Sequence, residues 1–165
     1  MKFSGEYECK LDAKGRLLLP ARLKAKLPDG TTILIVARGL EPCLCIYLQP
    51  DFSIIEDKVL ALSEFVGDNR QFQRKYLRGA SETDIDTQGR MMLPKSMLDH
   101  AGIAAEGGTI ILQGIGNRIE VWEPAKYEYY LTTSSANIQF SELSRDAERL
   151  LGKETSALNI HLNRN

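Results

Sequence analysis

Apolar residues recur along the chain in two rhythms, and each rhythm predicts an element. Residues 31–37, rich in β-branched side chains, and residues 43–48 read as strands joined through Gly39-Leu40-Glu41-Pro42. From Pro50 to Phe65 the period lengthens: Phe52, Ile55, Val59 and Leu62 fall three and four apart, on one helix face. Gly67-Asp68 interrupts that run, and a second helix is expected over 69–79. The plan then returns, with a short helix over 97–101, a turn at Glu106-Gly107-Gly108, and strands over 109–113 and 118–122 joined by a hairpin at 114–117. Pro124 opens a further helix, 132–135 is a polar break, and 140–151 predicts a last helix capped by Ser141 and stopped by Gly152. Residues 153–165 hold too few apolar side chains to dock and are expected to be mobile.

One stretch organises the rest. Leu11-Asp12-Ala13-Lys14-Gly15-Arg16-Leu17-Leu18-Leu19-Pro20 comes back as Ile85-Asp86-Thr87-Gln88-Gly89-Arg90-Met91-Met92-Leu93-Pro94, with Asp, Gly, Arg, Leu and Pro all repeated at an offset of 74 residues. Pro50 and Pro124 keep the same offset, which marks an internal duplication. In each copy the Asp carboxylate can accept from nearby backbone N–H groups, and Gly15 or Gly89 supplies the positive φ that closes a hairpin turn. Arg16 then starts the return strand, and Pro20 suits the first turn of a helix over 21–27. Each half has fewer than 80 residues, too few to bury a core alone, so the halves must share one or copies must pack together.

The Asp-x-x-Gly-Arg turn followed by an apolar triplet and Pro, present twice, resembles the MraZ family, whose members carry two AbrB-like (SpoVT-AbrB) swapped-hairpin domains in tandem. The entry through Phe3-Ser4-Gly5, and its counterpart Gly79-Ala80-Ser81-Glu82, fit the same likeness. The resemblance implies an α+β, β-rich fold: two tandem AbrB-like swapped-hairpin β-barrel modules with intervening and C-terminal helices. On that plan 1–50 is the first module, 51–79 a helical connector, 80–124 the second module and 125–152 the C-terminal helices. It also implies a homo-oligomeric ring and a regulator, mainly a repressor, of the division and cell-wall gene cluster. Such a regulator binds tandem promoter repeats in double-stranded DNA and is cytoplasmic and nucleoid-associated.

Charge sharpens this picture. The whole chain is nearly neutral, at −1, which taken alone argues against a nucleic-acid partner. The two copies differ, however. Residues 1–30 carry seven Lys and Arg against four Asp and Glu, whereas 80–107 carry two against five. Lys10, Lys14, Arg22 and Lys24 correspond to Asp84, Gln88, Ser96 and Leu98, and Arg16 alone keeps its charge, as Arg90. Neutralising phosphates takes local positive charge rather than a basic average. The first module is therefore expected to present Lys14, Arg16, Arg22 and Lys24 to DNA, since in AbrB-like proteins this segment forms the DNA-facing surface. The guanidinium fork of Arg16 suits a base edge and the lysines suit phosphates. An ion pair with Asp12 that merely tightens the turn is the other reading of Arg16, and for Arg90, among acids, the structural role is favoured.

The remaining candidates are weaker. Arg70, Arg74 and Arg78 share a helix face that reads as solvated, with subunit contact second. Cys43 and Cys45 lie on one side of a strand without a second pair or a histidine cluster, so core packing is expected of them and of Cys9. Neither His100 nor His161 belongs to a nucleophile motif, Asp12 and Asp86 fit turn chemistry better than acid–base work, and Trp122 reads as core or interface. Accordingly no enzyme activity, cofactor, metal or small-molecule substrate is expected. No apolar run approaches the ~20 residues of a bilayer span, the N-terminus lacks a signal-peptide core, and three unpairable cysteines point to a reducing cytoplasm. A scaffold using the same barrel without DNA is the alternative function.

Overall fold

The computed structural model describes residues 2–152. The expectations for the tail and for His161 lie outside them. The first repeat runs β1 (Phe3–Leu11), β2 (Arg16–Leu18), α1 (Ala21–Lys24), β3 (Ile33–Arg38), β4 (Leu44–Tyr47), α2 (Gln49–Leu60) and α3 (Gly67–Leu77). The second runs β5 (Ser81–Asp84), β6 (Arg90–Met92), α4 (Lys95–Ala101), β7 (Gly108–Gly116), β8 (Arg118–Trp122), α5 (Pro124–Thr132) and α6 (Glu142–Leu151), with one 3₁₀ turn at Ser135–Asn137.

All eight strands join one antiparallel sheet in the order β5-β3-β4-β8-β7-β1-β2-β6. Its two ends meet through a bridge between Ile85 and Met91, so the sheet curls into a nearly closed barrel. The repeats are interleaved about a pseudo-twofold: β1 pairs with β7 as β5 pairs with β3, while β2 pairs with its counterpart β6 and β4 with β8. At the β2–β6 seam Leu17 stands opposite Met91, the residue that repeats it. Neither half closes a core by itself, as their lengths required.

Alternation sorts the side chains. Leu11, Leu17, Leu34, Val36, Leu44, Ile46, Met91, Ile110, Leu112, Ile119 and Val121 fill the interior of the barrel. The outward positions of β3, β4 and β8 are also buried, because α2 and α5 cover them: Ile35, Ala37, Cys43, Cys45, Tyr47 and Trp122 pack with Phe52 and Tyr127. This double coverage explains why residues 31–37 and 43–48 read as continuous apolar runs rather than alternating ones. A third cluster, Val59, Phe72 and Ala147, joins α2, α3 and α6. By contrast β1, β2 and β6 keep a solvent-facing side, with burial alternating residue by residue. The unshielded wall of the barrel is therefore the one built around the repeated turns.

Element ends differ from expectation where side-chain pattern does not set them. β1 spans nine residues because it pairs with β7 throughout, and β7 runs on through Gly114 for the same reason. Gly114 sits so close to the backbone of Phe3 and Ser4 that a Cβ would meet Ser4 N. Pro20 lies just before α1 instead of inside it, its carbonyl accepting from Leu23 and Lys24 N–H at 3.0 and 2.9 Å. α2 ends at Leu60, and Gly67 begins α3 rather than interrupting a helix. Ser141 caps α6 as expected, accepting from Ser144 N–H at 3.1 Å.

Candidate nucleic-acid interface

Each repeated turn is built the same way from its own residues. Asp12 Oδ1 accepts from the Lys14 and Arg16 N–H groups at 2.9 Å each, and Asp86 Oδ1 accepts from Gln88 and Arg90 N–H at 2.9 Å each. Gly15 and Gly89 adopt φ of +79° and +86°, the left-handed region where only glycine is unstrained. The Arg16 N–H holds the Asp12 carboxyl below the ordinary carboxylate range, helped by the Arg16 guanidinium and Lys14 N–H and opposed by partial desolvation. Asp86 is lowered in the same direction, chiefly by the Arg90 N–H.

The turns are also latched to each other. Leu19 N–H donates to the Gly89 carbonyl and Leu93 N–H donates to the Gly15 carbonyl, both at 2.9 Å. This reciprocal pair continues the β2–β6 ladder and fixes the two hairpin tips at one end of the barrel. On the outer face of that ladder Arg16 stands opposite Met92 and Leu18 opposite Arg90, so the two guanidiniums occupy diagonal corners. All four side chains are exposed. Arg16, Arg90, Met92, Asp84 and Asp86 line a shallow hollow of about 210 Å³ there.

The two readings of Arg16 prove compatible. Its Nε donates to Asp12 Oδ2 at 2.7 Å, the expected ion pair, yet the side chain remains 45% exposed. Neither Nη group has a partner among the described residues, which leaves the outer edge of the fork open. Arg90, for which a structural role was favoured, is exposed and makes no ion pair among the described residues. Lys14, at the tip of the turn, and Arg22, on α1, are exposed. Lys24 is half-buried, and its Nζ donates to the Thr87 carbonyl at 2.5 Å, tying α1 to the second turn. Four expected cations thus come from one segment, three of them exposed and one half-buried as a strut. The sequence did not reveal that Arg90 shares their face; that follows from the β2–β6 pairing between repeats.

Away from this wall, the Cys43 and Cys45 sulfurs and a Glu120 carboxylate oxygen lie within 4.8 Å of one another, all buried. The carboxylate is already engaged, accepting from Trp122 Nε1 and Arg118 Nε at 3.2 Å each. The hydrogen bond to Cys45 and burial push the Cys43 thiol up. Both cysteines pack in the cluster under α2 and α5. Arg70, Arg74 and Arg78 are exposed, in keeping with a solvated face.

Comparison with known proteins agrees with this architecture. A family model described as "MraZ protein, putative antitoxin-like" matches the chain twice, over residues 2–75 and 76–150. A transcriptional regulator MraZ of Cytophaga hutchinsonii is 41% identical over 150 residues, covering 90% of this chain and 94% of that protein. Proteins of the same name from Natranaerobius thermophilus and Carboxydothermus hydrogenoformans are 32% and 35% identical, over 83% and 81% of this chain and 92% and 90% of their own lengths. With the duplicated turn, the interleaved barrel and these matches in agreement, the chain belongs to the MraZ family.

Proposed function

We propose that this protein is a DNA-binding transcriptional regulator that represses the division and cell-wall gene cluster by gripping tandem promoter repeats. The observation that carries the reading is the open fork of Arg16 on the unshielded barrel wall, with Lys14 and Arg22 exposed beside it. A guanidinium held at its Nε by a carboxylate is pre-oriented, and its two Nη groups keep the geometry that pairs with guanine O6 and N7. Lys14 and Arg22 supply phosphate contacts, and Lys24 adds charge while bracing the second turn. The relatives' shared name, transcriptional regulator MraZ, supports regulation by a non-enzymatic protein.

One such wall makes few contacts. A homo-oligomeric ring that displays several walls to successive repeats turns weak single contacts into tight binding, as effective concentration requires. No helix among the described residues is long and apolar enough to cross a membrane, and the proposed place of action is the cytoplasmic nucleoid.

Footprinting on the DNA just upstream of the protein's own gene, at 50 and 200 mM salt, tests the reading. Protection of regularly spaced repeats that weakens steeply with salt is expected. Absence of any protected repeat at low salt refutes it and leaves the barrel as a scaffold. Native mass spectrometry checks the ring, which a purely monomeric mass would refute.

A further inference from the structure

A second site lies on the helical side of the molecule. The end of β3, the end of α3, α4 and the chain entering α6 line an open cavity of about 550 Å³, the size of a small-ligand pocket. One wall is cationic, with Arg38 and Arg78 beside His100; another is apolar, with Leu40, Tyr130 and Phe140.

The cationic wall is short of counter-charge. Arg38 Nη1 donates to the Arg78 backbone carbonyl at 2.6 Å, and its buried Nε has no partner among the described residues. Among the described residues neither Arg38 nor Arg78 has an ion-pair partner, although Glu41 and Glu142 share the lining of the cavity. Burial, and then the neighbouring Arg78, press the Arg38 guanidinium below its ordinary affinity for a proton. The acids of the rim do not relieve this. Glu142 is drawn off by Lys75 at 3.5 Å, and the Glu41 carboxylate makes no ion pair among the described residues. Burial also pushes His100 down, which leaves it a neutral hydrogen-bonding group. A solvated arginine such as Arg78 needs no such explanation; a part-buried one with an orphaned Nε, beside a second guanidinium at the mouth of this hollow, does.

We infer that this cavity binds a small organic anion, its carboxylate or phosphate held by Arg38 and Arg78 and its apolar body against Leu40, Tyr130 and Phe140. The occupant touches both the 39–42 loop and the 139–143 segment. Those segments are joined by the hydrogen bond from Ser141 Oγ to the Leu40 carbonyl at 3.1 Å. An anion seated there strengthens the hold of α6 on the barrel, because it binds only the arrangement in which both walls are present.

Titration of the full chain with phenyl phosphate, followed by amide chemical shifts, tests the assignment. Saturable shifts are expected around Leu40, Arg78 and Phe140. Arg78→Ala should weaken binding by about tenfold or more, as loss of a charge-assisted contact does. Phe140→Ala, which keeps both guanidiniums, should weaken phenyl phosphate but not inorganic phosphate. Arg16→Ala, on the opposite kind of surface, should leave the titration unchanged. Non-saturable shifts in millimolar phenyl phosphate, or an Arg78→Ala protein with a native-like spectrum and undiminished binding, would overturn the inference. So would loss of the shifts in Arg16→Ala alone, which assigns the anion to the DNA wall.

Discussion

Arg16→Ala is the perturbation in which the two roles of that side chain separate. In the folded protein its Nε is spent on Asp12 and its Nη pair faces solvent, so truncation removes one exposed ion pair and one open fork. The turn itself survives, since Asp12 Oδ1 still accepts from two backbone N–H groups and Gly15 still holds its positive φ. Exposed pairs contribute little to folding, so the unfolding transition should hardly move. DNA affinity behaves otherwise. A bidentate contact to a base is worth about 1–3 kcal/mol, which converts to roughly 5- to 150-fold in affinity per engaged wall. Fluorescence anisotropy with a repeat-bearing duplex, read from 50 to 200 mM salt, measures that loss and the salt slope together. A base contact removed leaves the slope nearly unchanged, whereas a phosphate contact removed lowers it by about one. Binding within twofold of the native protein, with the barrel intact, refutes a role for Arg16 in recognition; loss of affinity with loss of the folded barrel refutes the claim that its two roles separate.

Three further outcomes follow from the same geometry. Leu17→Ala, at a position fully buried on the pseudo-twofold opposite Met91, should cost about 2–5 kcal/mol in urea unfolding, and a cost below 1 kcal/mol would deny that the seam is a packed core. Asp12 and Asp86 are both depressed when folded, so their contribution is present above the unfolded carboxyl value of about 4 and is lost as pH falls through the lower folded values. An Asp12→Asn/Asp86→Asn protein should show a flatter acid limb in thermal melts than the native chain, and parallel limbs would exclude these turns as its source. Asp84→Lys, which restores the charge that Lys10 carries in the first repeat, should raise DNA affinity and steepen its salt dependence; no change in anisotropy titrations would mean that DNA stays clear of the second turn.

Much of this was legible in the residues, and the failures have physical causes. The turns followed from Asp, Gly and Arg at fixed spacing because every hydrogen bond that builds them is local, within four residues. The helices opened by Pro50 and Pro124 were legible for the same reason. What spacing could not convey is which strand lies beside which. The pairing of β2 with β6 puts Arg90 on the same face as Arg16, and nothing near either residue encodes it. Glu120, which no local pattern singled out, is a buried acid: its side of β8 is covered, and Trp122 and Arg118 satisfy the carboxylate. The cavity between Arg38 and Phe140 joins residues about 100 positions apart, so no local pattern reveals it.

The unequal charge of the repeats takes on a mechanical sense once the turns are seen to be latched. If both copies had stayed basic, five or more cations would crowd one end of a barrel whose tips are fixed by the reciprocal Leu19–Gly89 and Leu93–Gly15 hydrogen bonds. With only the two turn aspartates against them, they would repel across the seam that the fold needs closed. Asp84, standing where the first copy has Lys10, places an acid beside Arg16 and Arg90 instead of a further cation, and the Nζ of Lys24 donates to the carbonyl of Thr87 in the second turn. The acidic copy therefore does two things for the basic one. It holds the first turn in place through backbone bonds that any side chain permits, and it makes the charged end asymmetric, which on the proposed DNA reading gives a phosphate chain attraction on the side of Lys14 and Arg22 and repulsion on the side of Asp84. Duplication supplied a symmetric barrel; divergence of charge at unchanged backbone geometry gave that barrel a direction.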